Sequence, residues 1–392
     1  MPSVCFILKV HEPHRLRPYS FFDIGESINY GDDAEMLAHL EKAAHQYYLP
    51  ATRVLLKQIQ EFKGDFRVSI LLSGVAIDQF ERFQPELLSQ FRHLADTGCV
   101  EFIAEPYFHS FACLFSKPEF REQIDLHRQK LSHLFGQIPG TLNCYALGFN
   151  NDIAMEAAGF EFNALLAMGS DRILESRSLN RLYQPAPCPE LRIFFENPLL
   201  AENLSRFSTT SGSSKIPLTP DQFMSHLIHK QGEIMTLSVN LSAYEKQALG
   251  DSETLEFLTH FPSVVLAYKG FTFETPKQVI QTHPACGSIS APGFATWEDA
   301  ERGSNGWISN EMQKDAIHGL YLLEKEVKSH PNPQMLLTWR QLQVSDHFLY
   351  MDTKLHNEQM ENVVASPFNS PYDAYINFMN ILTDFSERLA AI

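Results

Sequence analysis

Short apolar runs alternate with longer segments of helical periodicity from residue 4 to about residue 240, and this alternation limits the folds open to the chain. Seven runs have the length and apolar character of buried strands: 4–10, 66–72, 100–104, 141–146, 162–167, 191–195 and 234–239. Helical patterns fill the intervals at 33–48, 52–61, 77–95, 118–135 and 220–230. The order predicts an α/β fold, and seven strand–helix repeats favour a closed parallel barrel over an open sheet.

The pattern changes after Pro276. Proline, glycine and serine cluster between residues 283 and 293, and long helical patterns follow at 307–328, 332–342 and 371–389. We therefore predict two units. The first is a seven-stranded (β/α) barrel domain over residues 1–282, and the second is a linker with a C-terminal helical domain over residues 283–392.

Charge restricts the partners of the chain. Its 392 residues include 31 lysines and arginines against 47 aspartates and glutamates, and the formal net charge of -16 repels nucleic acid and anionic membrane surfaces. Neutral partners such as sugars are compatible with this charge. No apolar stretch approaches the ~20 residues of a membrane span, so we predict neither a nucleic-acid partner nor a membrane partner.

The six cysteines are scattered without a Cys-x-x-Cys pair, which argues against a zinc ribbon and against a disulfide framework. The apolar start of the chain lacks the basic segment of a signal peptide and is typical of a first strand. We therefore predict reduced thiols and a cytoplasmic location. The 16 histidines include no His-Glu-x-x-His spacing, and we predict neither a metal site nor a cofactor.

The carboxyl ends of the predicted strands carry the candidate site, because a parallel barrel presents its functional side chains there. His11 and Glu12 follow the first strand, and Glu105 and His109 follow the third. Any one of them could equally be a loop residue bonded to nearby backbone. Together, imidazole and carboxylate groups beside aromatic residues suit a polyhydroxylated ligand, whose hydroxyl groups form hydrogen bonds and whose CH faces stack on rings.

Several longer segments resemble one family of carbohydrate-active proteins. Residues 10–17, Val-His-Glu-Pro-His-Arg-Leu-Arg, are similar to the opening His-Gln-Pro motif of the α-amylase-like branch of glycoside hydrolase family 57, and residues 98–110 are similar to its second motif. The segments 307–313, 342–348 and 370–380 are similar to its C-terminal half. The resemblance covers nearly the whole chain. It implies a seven-stranded barrel with a C-terminal helical region, acting on α-glucans by a retaining mechanism without a metal.

The same resemblance implies that both catalytic carboxylates are missing. Aligning on residues 149–153 puts Ala146 at the position of the family's nucleophile, and aligning on residues 244–247 puts Val239 at the position of its acid. Glycoside hydrolysis ordinarily uses two carboxyl groups that flank the bond, and neither alanine nor valine can replace one. Glu12 is a further departure, since the family has glutamine there. We therefore expect no catalytic residues of the family type.

Three functions remain as alternatives. The first is a catalytically inactive protein that binds α-glucan or maltooligosaccharide, or regulates a partner. Its contact residues would be those that the motifs place at the cleft: His11, Glu12, Glu105, His109, Trp307, Asp346 and His347. For the last three, contacts that join the barrel to the helical region are an equally good interpretation.

The second alternative is an active α-amylase-like glycoside hydrolase whose carboxylates have moved, with Glu12 and either Glu105 or Asp346 as the pair. Such a pair would have to flank one sugar-sized pocket, and at least one of its carboxyl groups would need a raised pKa. The third alternative is an interaction partner of an active amylase-like paralogue. A large exposed apolar patch away from the strand ends would favour it.

Overall fold

The structure is a computed structural model. It describes residues 2–144, 148–169, 171–197, 222, 224, 225, 227, 232–241, 252–268, 270–294, 308–353 and 366–391. Ten strands are present in this described part of the chain. They are β1 (Ser3–Val10), β2 (Val68–Leu72), β3 (Val100–Ile103), β4 (Thr141–Asn143), β5 (Ala164–Met168), β6 (Gln184–Pro185), β7 (Arg192–Glu196), β8 (Ile234–Asn240), β9 (Thr272–Phe273) and β10 (Ser288–Ile289).

Seven of these strands form one parallel sheet in the order β3-β2-β1-β8-β7-β5-β4. The two ends of this order meet where Ala104, directly after β3, makes a parallel bridge to Leu142 of β4. The sheet is therefore a nearly closed barrel, and the prediction of a seven-stranded (β/α) barrel is confirmed. Strand β9 pairs with the start of β1, and β6 pairs with β10 in a separate two-stranded sheet.

Helices surround this barrel and form the C-terminal region. They are α1 (Asp33–Ala43), α2 (Leu49–Glu61), α3 (Gly74–Phe83), α4 (Pro85–Asp96), α5 (Ala112–Phe115), α6 (Lys117–Phe135), α7 (Asn151–Gly159), α8 (Asp171–Leu174), α9 (Ser252–Ala267), α10 (Pro276–Thr282), α11 (Glu311–Leu322), α12 (Glu324–Ser329), α13 (Pro333–Gln341), α14 (Asp346–Leu349) and α15 (Pro371–Ala390). A π-helical segment, Ala44–Tyr48, joins α1 to α2.

The helix predicted at 77–95 is two helices in the structure. Pro85 disfavours helical backbone at the preceding residue, and Gln84 accordingly has φ of -140° between α3 and α4. The predicted helix at 307–328 is also divided, into α11 and α12. Most of the predicted helix at 220–230 lies outside the described residues.

The side chains of β1 alternate between two environments, because successive residues of a strand point to opposite faces of the sheet. Phe6 and Leu8 pack with the surrounding helices in the larger core. Cys5 and Ile7 pack with residues of other strands in the interior of the barrel. Lys9 continues this interior series and brings an ammonium group to the carboxyl end of the barrel.

The C-terminal helices enclose a core of their own and are fixed to the barrel. Trp339 of α13 is fully buried, and its Nε1 donates to the carbonyl oxygen of Leu320 at 2.8 Å. Leu16, from the loop after β1, belongs to the same core. Arg340 of α13 donates to the two carboxylate oxygens of Glu119 on α6 at 2.8 and 3.2 Å. The predicted domain boundary between residues 282 and 283 stays a prediction.

Two further properties bear on the surroundings of the protein. None of the helices in the described ranges combines the length and the apolar character that a bilayer span requires. All six cysteines are free thiols, and only that of Cys286 is exposed.

Candidate functional site

His11, directly after β1, lies at the carboxyl end of the barrel between partners from two other elements. Its Nδ1 is 2.8 Å from Oγ of Ser73, which follows β2, and its Nε2 is 2.9 Å from Oδ2 of Asp346, the first residue of α14. A carboxylate only accepts hydrogen bonds, so Nε2 of His11 donates to Asp346. Ser73 is fixed in turn because its Oγ caps α3 and accepts from the amide of Ala76. His11 therefore joins the barrel to the helical region.

The environment of Asp346 keeps this carboxyl group charged. Burial disfavours the charged form, but the attraction of His11 and the hydrogen bond from that ring outweigh burial, and the pKa of Asp346 lies below its usual value. The proximity of His109 acts in the same direction. Asp346 is thus an acceptor that orients the His11 ring.

A second imidazole–carboxylate pair lies beside the first. Nδ1 of His109 is 3.0 Å from Oε2 of Glu105, and the His109 ring stacks on the His11 ring with centroids 4.1 Å apart. Burial opposes ionisation of both groups, yet their mutual attraction dominates. The pKa of Glu105 is therefore lower than usual and that of His109 is higher. The pair favours its charged forms.

His109 has a left-handed backbone conformation, with φ of 50°, which is unfavourable for a residue other than glycine. Two backbone hydrogen bonds hold it there: the amide of His109 donates to the carbonyl of Pro106 at 2.8 Å, and its carbonyl accepts from the amide of Ser345 at 3.2 Å. Ser345 precedes Asp346, so the second bond also sets the two imidazole–carboxylate pairs side by side. Such strained positions cluster at functional sites.

A buried layer beneath the pairs supports this loop. Nδ1 of His127 accepts from the amide of Glu105 at 2.9 Å, and its Nε2 donates to the carbonyl of Leu72 at 2.8 Å. These two bonds require the neutral Nε2–H tautomer, and burial lowers the pKa of His127 accordingly. His127 on α6 thereby connects the ends of β2 and β3. Nδ2 of Asn143, at the end of β4, donates to Glu105 at 3.3 Å.

Sequence reasoning missed an ion pair between a lysine and a glutamate at this end of the barrel. Nζ of Lys9 lies 3.0 Å from Oε2 of Glu196, and Oγ of Ser238 donates to Oε1 of the same carboxylate at 2.6 Å. Glu196 is the last residue of β7, Lys9 is the penultimate residue of β1, and Ser238 lies two residues before the end of β8, so all three lie at the barrel mouth. A signal was present in the sequence, because Lys9 is the one charged residue among the apolar side chains of the first strand.

Two predicted contact residues lie apart from the stacked pairs. The Glu12 carboxylate is buried, accepts from Oη of Tyr48 at 2.7 Å and has Nε2 of His39 at 3.4 Å. Its side chain therefore points into the helix layer, whereas that of His11 points into the barrel mouth. His347 donates from Nε2 to the carbonyl of Gln341 at 3.2 Å within the helical region, where burial lowers its pKa to about 4. The hydrogen bonds of Glu12 and His347 therefore lie in the helix layer and in the helical region, respectively, and a contact of either residue with a glucan stays a prediction.

Of the two positions that the resemblance aligns with the family's catalytic carboxylates, the structure describes one, Val239. The side chain of Val239 packs against the outer core, while that of Ser238 faces the barrel interior. A carboxylate at residue 239 would therefore point away from the barrel interior. The alignment of Val239 with the family's acid stays a prediction. Ala146 and Trp307 lie outside the described residues.

The chemistry available here is that of hydrogen bonds and charge pairs. Across the described part of the chain, no group of three or more His, Cys, Asp or Glu residues could hold a metal ion. The structure brings His11, Glu105, His109 and Asp346 together, and the pair of Lys9 and Glu196 lies at the same end of the barrel. Their role in binding stays a prediction.

Comparison with known proteins assigns the chain to a family. The model of glycosyl hydrolase family 57 matches residues 5–292. A Methanocaldococcus jannaschii protein described as a "Putative alpha-amylase" is 30% identical over 400 residues, which cover 97% of this chain and 84% of that protein. The chain belongs to glycosyl hydrolase family 57.

Solved structures show the same fold. The family 57 branching enzyme TK1436 from Thermococcus kodakaraensis, in complex with glucose, superposes with a TM-score of 0.69 at 13% identity, over 99% of this chain and 90% of that chain. The 4-alpha-glucanotransferase from Thermococcus litoralis superposes with a TM-score of 0.68 at 11% identity. That match covers 97% of this chain but only 59% of the glucanotransferase.

Proposed function

We propose that this family 57 protein binds an α-glucan or maltooligosaccharide at the carboxyl end of its barrel and does not hydrolyse it. One observation carries the proposal: three carboxylates at the barrel mouth each accept from a basic side chain. Asp346 accepts from His11, Glu105 from His109 and Glu196 from Lys9. Because each carboxylate is bonded to a basic side chain, the site suits a neutral ligand rich in hydroxyl groups. The relatives named above are described as a putative alpha-amylase, a branching enzyme and a 4-alpha-glucanotransferase, which agrees with an α-glucan ligand.

The direction of the pKa shifts supports the absence of hydrolysis. A glycosidase acid must carry a proton near neutral pH, which requires a raised pKa. The pKa values of Glu105 and Asp346 are lowered instead. Without a positioned general acid the rate falls by roughly 10²–10⁴, or about 3–5.5 kcal/mol of barrier. Glu12, the other carboxylate of the relocated pair, is held by Tyr48 in the helix layer.

An active α-amylase-like hydrolase with relocated carboxylates is the second candidate. The description of the M. jannaschii relative, which is 30% identical to this chain, favours it. Its catalytic pair would have to draw on Glu105, Asp346 or Glu196, since these are the described carboxylates at the barrel mouth.

Isothermal titration with maltoheptaose, followed by chromatography of the sugar, distinguishes these functions. Saturable heat with intact maltoheptaose is the result that we expect. Continuing heat and shorter oligosaccharides would overturn the proposal in favour of the active hydrolase. No heat at all would overturn glucan binding and direct the search to an active paralogue as the partner.

A cytoplasmic location is part of the same proposal. It is supported by the six free cysteines, which form no disulfide in the structure. Fractionation of the native host, with detection by antibody, tests this location, and recovery outside the cytoplasmic fraction would contradict it.

A further inference from the structure

A pocket of about 190 Å³ lies between the loop that follows β1, the start of α1, and the helices α3 and α13. Sites for drug-sized ligands typically have volumes of roughly 300–1,000 Å³ and mostly apolar linings. This pocket is smaller, and most of the side chains that line it are polar. Its volume equals that of about six water molecules at ~30 Å³ each, which suits one small ring and excludes an oligosaccharide.

The two charged side chains of the pocket neutralise each other. Arg82 of α3 donates from Nη1 and Nη2 to the two carboxylate oxygens of Asp33 at 2.6 and 2.5 Å. The bond to Arg82 lowers the pKa of Asp33, so this carboxyl group stays ionised beside the guanidinium. His14 adds no charge at neutral pH, because burial lowers its pKa to about 3. The lining therefore carries no excess charge and favours a neutral ligand.

Five neutral polar side chains supply hydrogen-bonding groups. Gln334, Thr338 and Gln341 lie on one face of α13, because residues at such spacings are neighbours on a helix surface. His14 and Asn29 belong to the loop after β1. In the described part of the chain, none of these five side chains forms a hydrogen bond with another protein group. Their donors and acceptors are therefore available to a ligand.

These groups match the hydrogen-bonding capacity of sugar hydroxyl groups. A neutral imidazole has one donor and one acceptor nitrogen, and a hydroxyl or carboxamide side chain both donates and accepts. A sugar hydroxyl likewise donates and accepts. Leu16 and Leu342 are buried and give the pocket an apolar surface for the CH groups of a ring.

We propose that this pocket binds a single neutral sugar ring. The hydroxyl groups bond to the polar face of α13 and to His14 and Asn29, and the CH groups rest on Leu16 and Leu342. The site is distinct from the barrel mouth, because no residue of the two imidazole–carboxylate pairs lines it. The inference goes beyond the glucan proposal and does not rest on it.

Imidazole NMR signals of the full chain, titrated with glucose, test the site. The His14 signal is assigned by its loss in His14→Gln, and its shift reports the ligand because the ring stays neutral near pH 7. We expect a saturable shift of this signal. Cyclohexanol, a ring with a single hydroxyl group, should cause no such shift at the same concentration, because a site built for hydroxyl groups rejects an analogue that lacks them. Equal responses to the two ligands, or no saturable response to glucose, would overturn the proposal.

The His109 signal, assigned by its loss in His109→Gln, distinguishes this pocket from the barrel mouth. A glucose-dependent shift of the His109 signal with an unchanged His14 signal would assign the sugar to the barrel mouth. That outcome would overturn the present proposal and support the glucan proposal. Failure of maltoheptaose to bind, with the His14 response to glucose intact, would overturn only the glucan proposal.

Two variants test the assignment to the pocket. Thr338→Phe fills the pocket and should abolish the saturable response, whereas Thr383→Phe, on the exposed surface of α15 and outside the pocket, should bind glucose within about twofold of the wild type. Asn29→Ala removes one hydrogen-bonding group at the exposed rim and should raise the Kd for glucose about 3- to 10-fold. An unchanged Kd in Asn29→Ala or in folded Thr338→Phe would overturn the proposal.

Discussion

The imidazole rings of His11 and His109 stack with their centroids 4.1 Å apart at an interplanar angle of 26°, although 97 residues separate them in the sequence. Each ring is held by its own carboxylate, at 2.9 Å for His11 and Asp346 and at 3.0 Å for His109 and Glu105. The stack therefore combines two imidazole–carboxylate pairs into one polar surface at the barrel mouth. A preorganised surface of this kind loses little conformational freedom when a ligand binds.

Asp346→Asn should weaken maltoheptaose binding. The substitution preserves size but removes the charge that orients His11, and a hydrogen bond to a charged group contributes about 1.5–3 kcal/mol. We expect a rise in Kd of about 10- to 100-fold by isothermal titration. His45→Gln, on the exposed side of the helix layer, is the control and should bind within twofold of the wild type. Equal affinity of the two variants would remove Asp346 from the binding site.

The His109–Glu105 pair should make stability depend on pH in a defined window. The pKa of His109 is raised in the folded state, so its contribution is full below the ordinary histidine pKa of about 6.5 and is lost as pH rises through the folded pKa. The pKa of Glu105 is lowered, so its contribution is present above the ordinary glutamate pKa of about 4.3 and is lost as pH falls through the folded pKa.

Glu105→Gln tests this window. The loss of unfolding free energy relative to the wild type should be greatest between about pH 4.5 and 6.5, and smaller toward pH 3 and pH 9, in urea denaturation. Gly159→Ala, which changes no titratable group and has no atom within 4 Å of the added Cβ, is the control and should show a difference that does not change with pH. A flat profile for Glu105→Gln as well would show that the pair does not couple ionisation to folding.

Gly74→Ala should destabilise the protein because there is no room for a Cβ atom. A methyl group at Gly74 would lie 2.5 Å from the ring of Tyr107 and 2.6 Å from its carbonyl oxygen. Overpacking of this kind costs about 1–3 kcal/mol, and here it would displace the loop between Glu105 and His109. Gly159→Ala is the matched control, since no atom lies within 4 Å of the added Cβ. The prediction fails if the two variants unfold at the same urea concentration.

Val239→Asp should not create hydrolytic activity, although the motif resemblance aligns residue 239 with the family's acid. The side chain packs against the outer core, so the substitution would bring a carboxyl group into an apolar environment at a cost of about 1–3 kcal/mol. Val239→Ala keeps the position apolar and should be destabilised less. Production of shorter oligosaccharides from maltoheptaose by Val239→Asp alone would show that residue 239 reaches the cleft.

The sequence by itself determined the barrel and the end of it that carries the site. Alternating apolar runs and helical patterns indicate which residues are buried, because the buried face of a strand or a helix repeats at a fixed spacing along the sequence. Parallel strands then place all their carboxyl ends together, so His11, Glu105 and His109 were predictable as neighbours.

Only the tertiary structure decided which of the candidates meet. Asp346 reaches His11 across 335 residues because the helical region docks on the barrel mouth, and no local pattern encodes that docking. Glu12 turns to Tyr48 while the adjacent His11 faces the mouth, since consecutive residues leaving a strand point to opposite sides. Lys9 and Glu196 pair because β1 and β7 flank β8, and an order of strands within a sheet is a long-range property. Periodicity fixes where residues are buried, whereas side-chain direction and long-range packing fix what they touch.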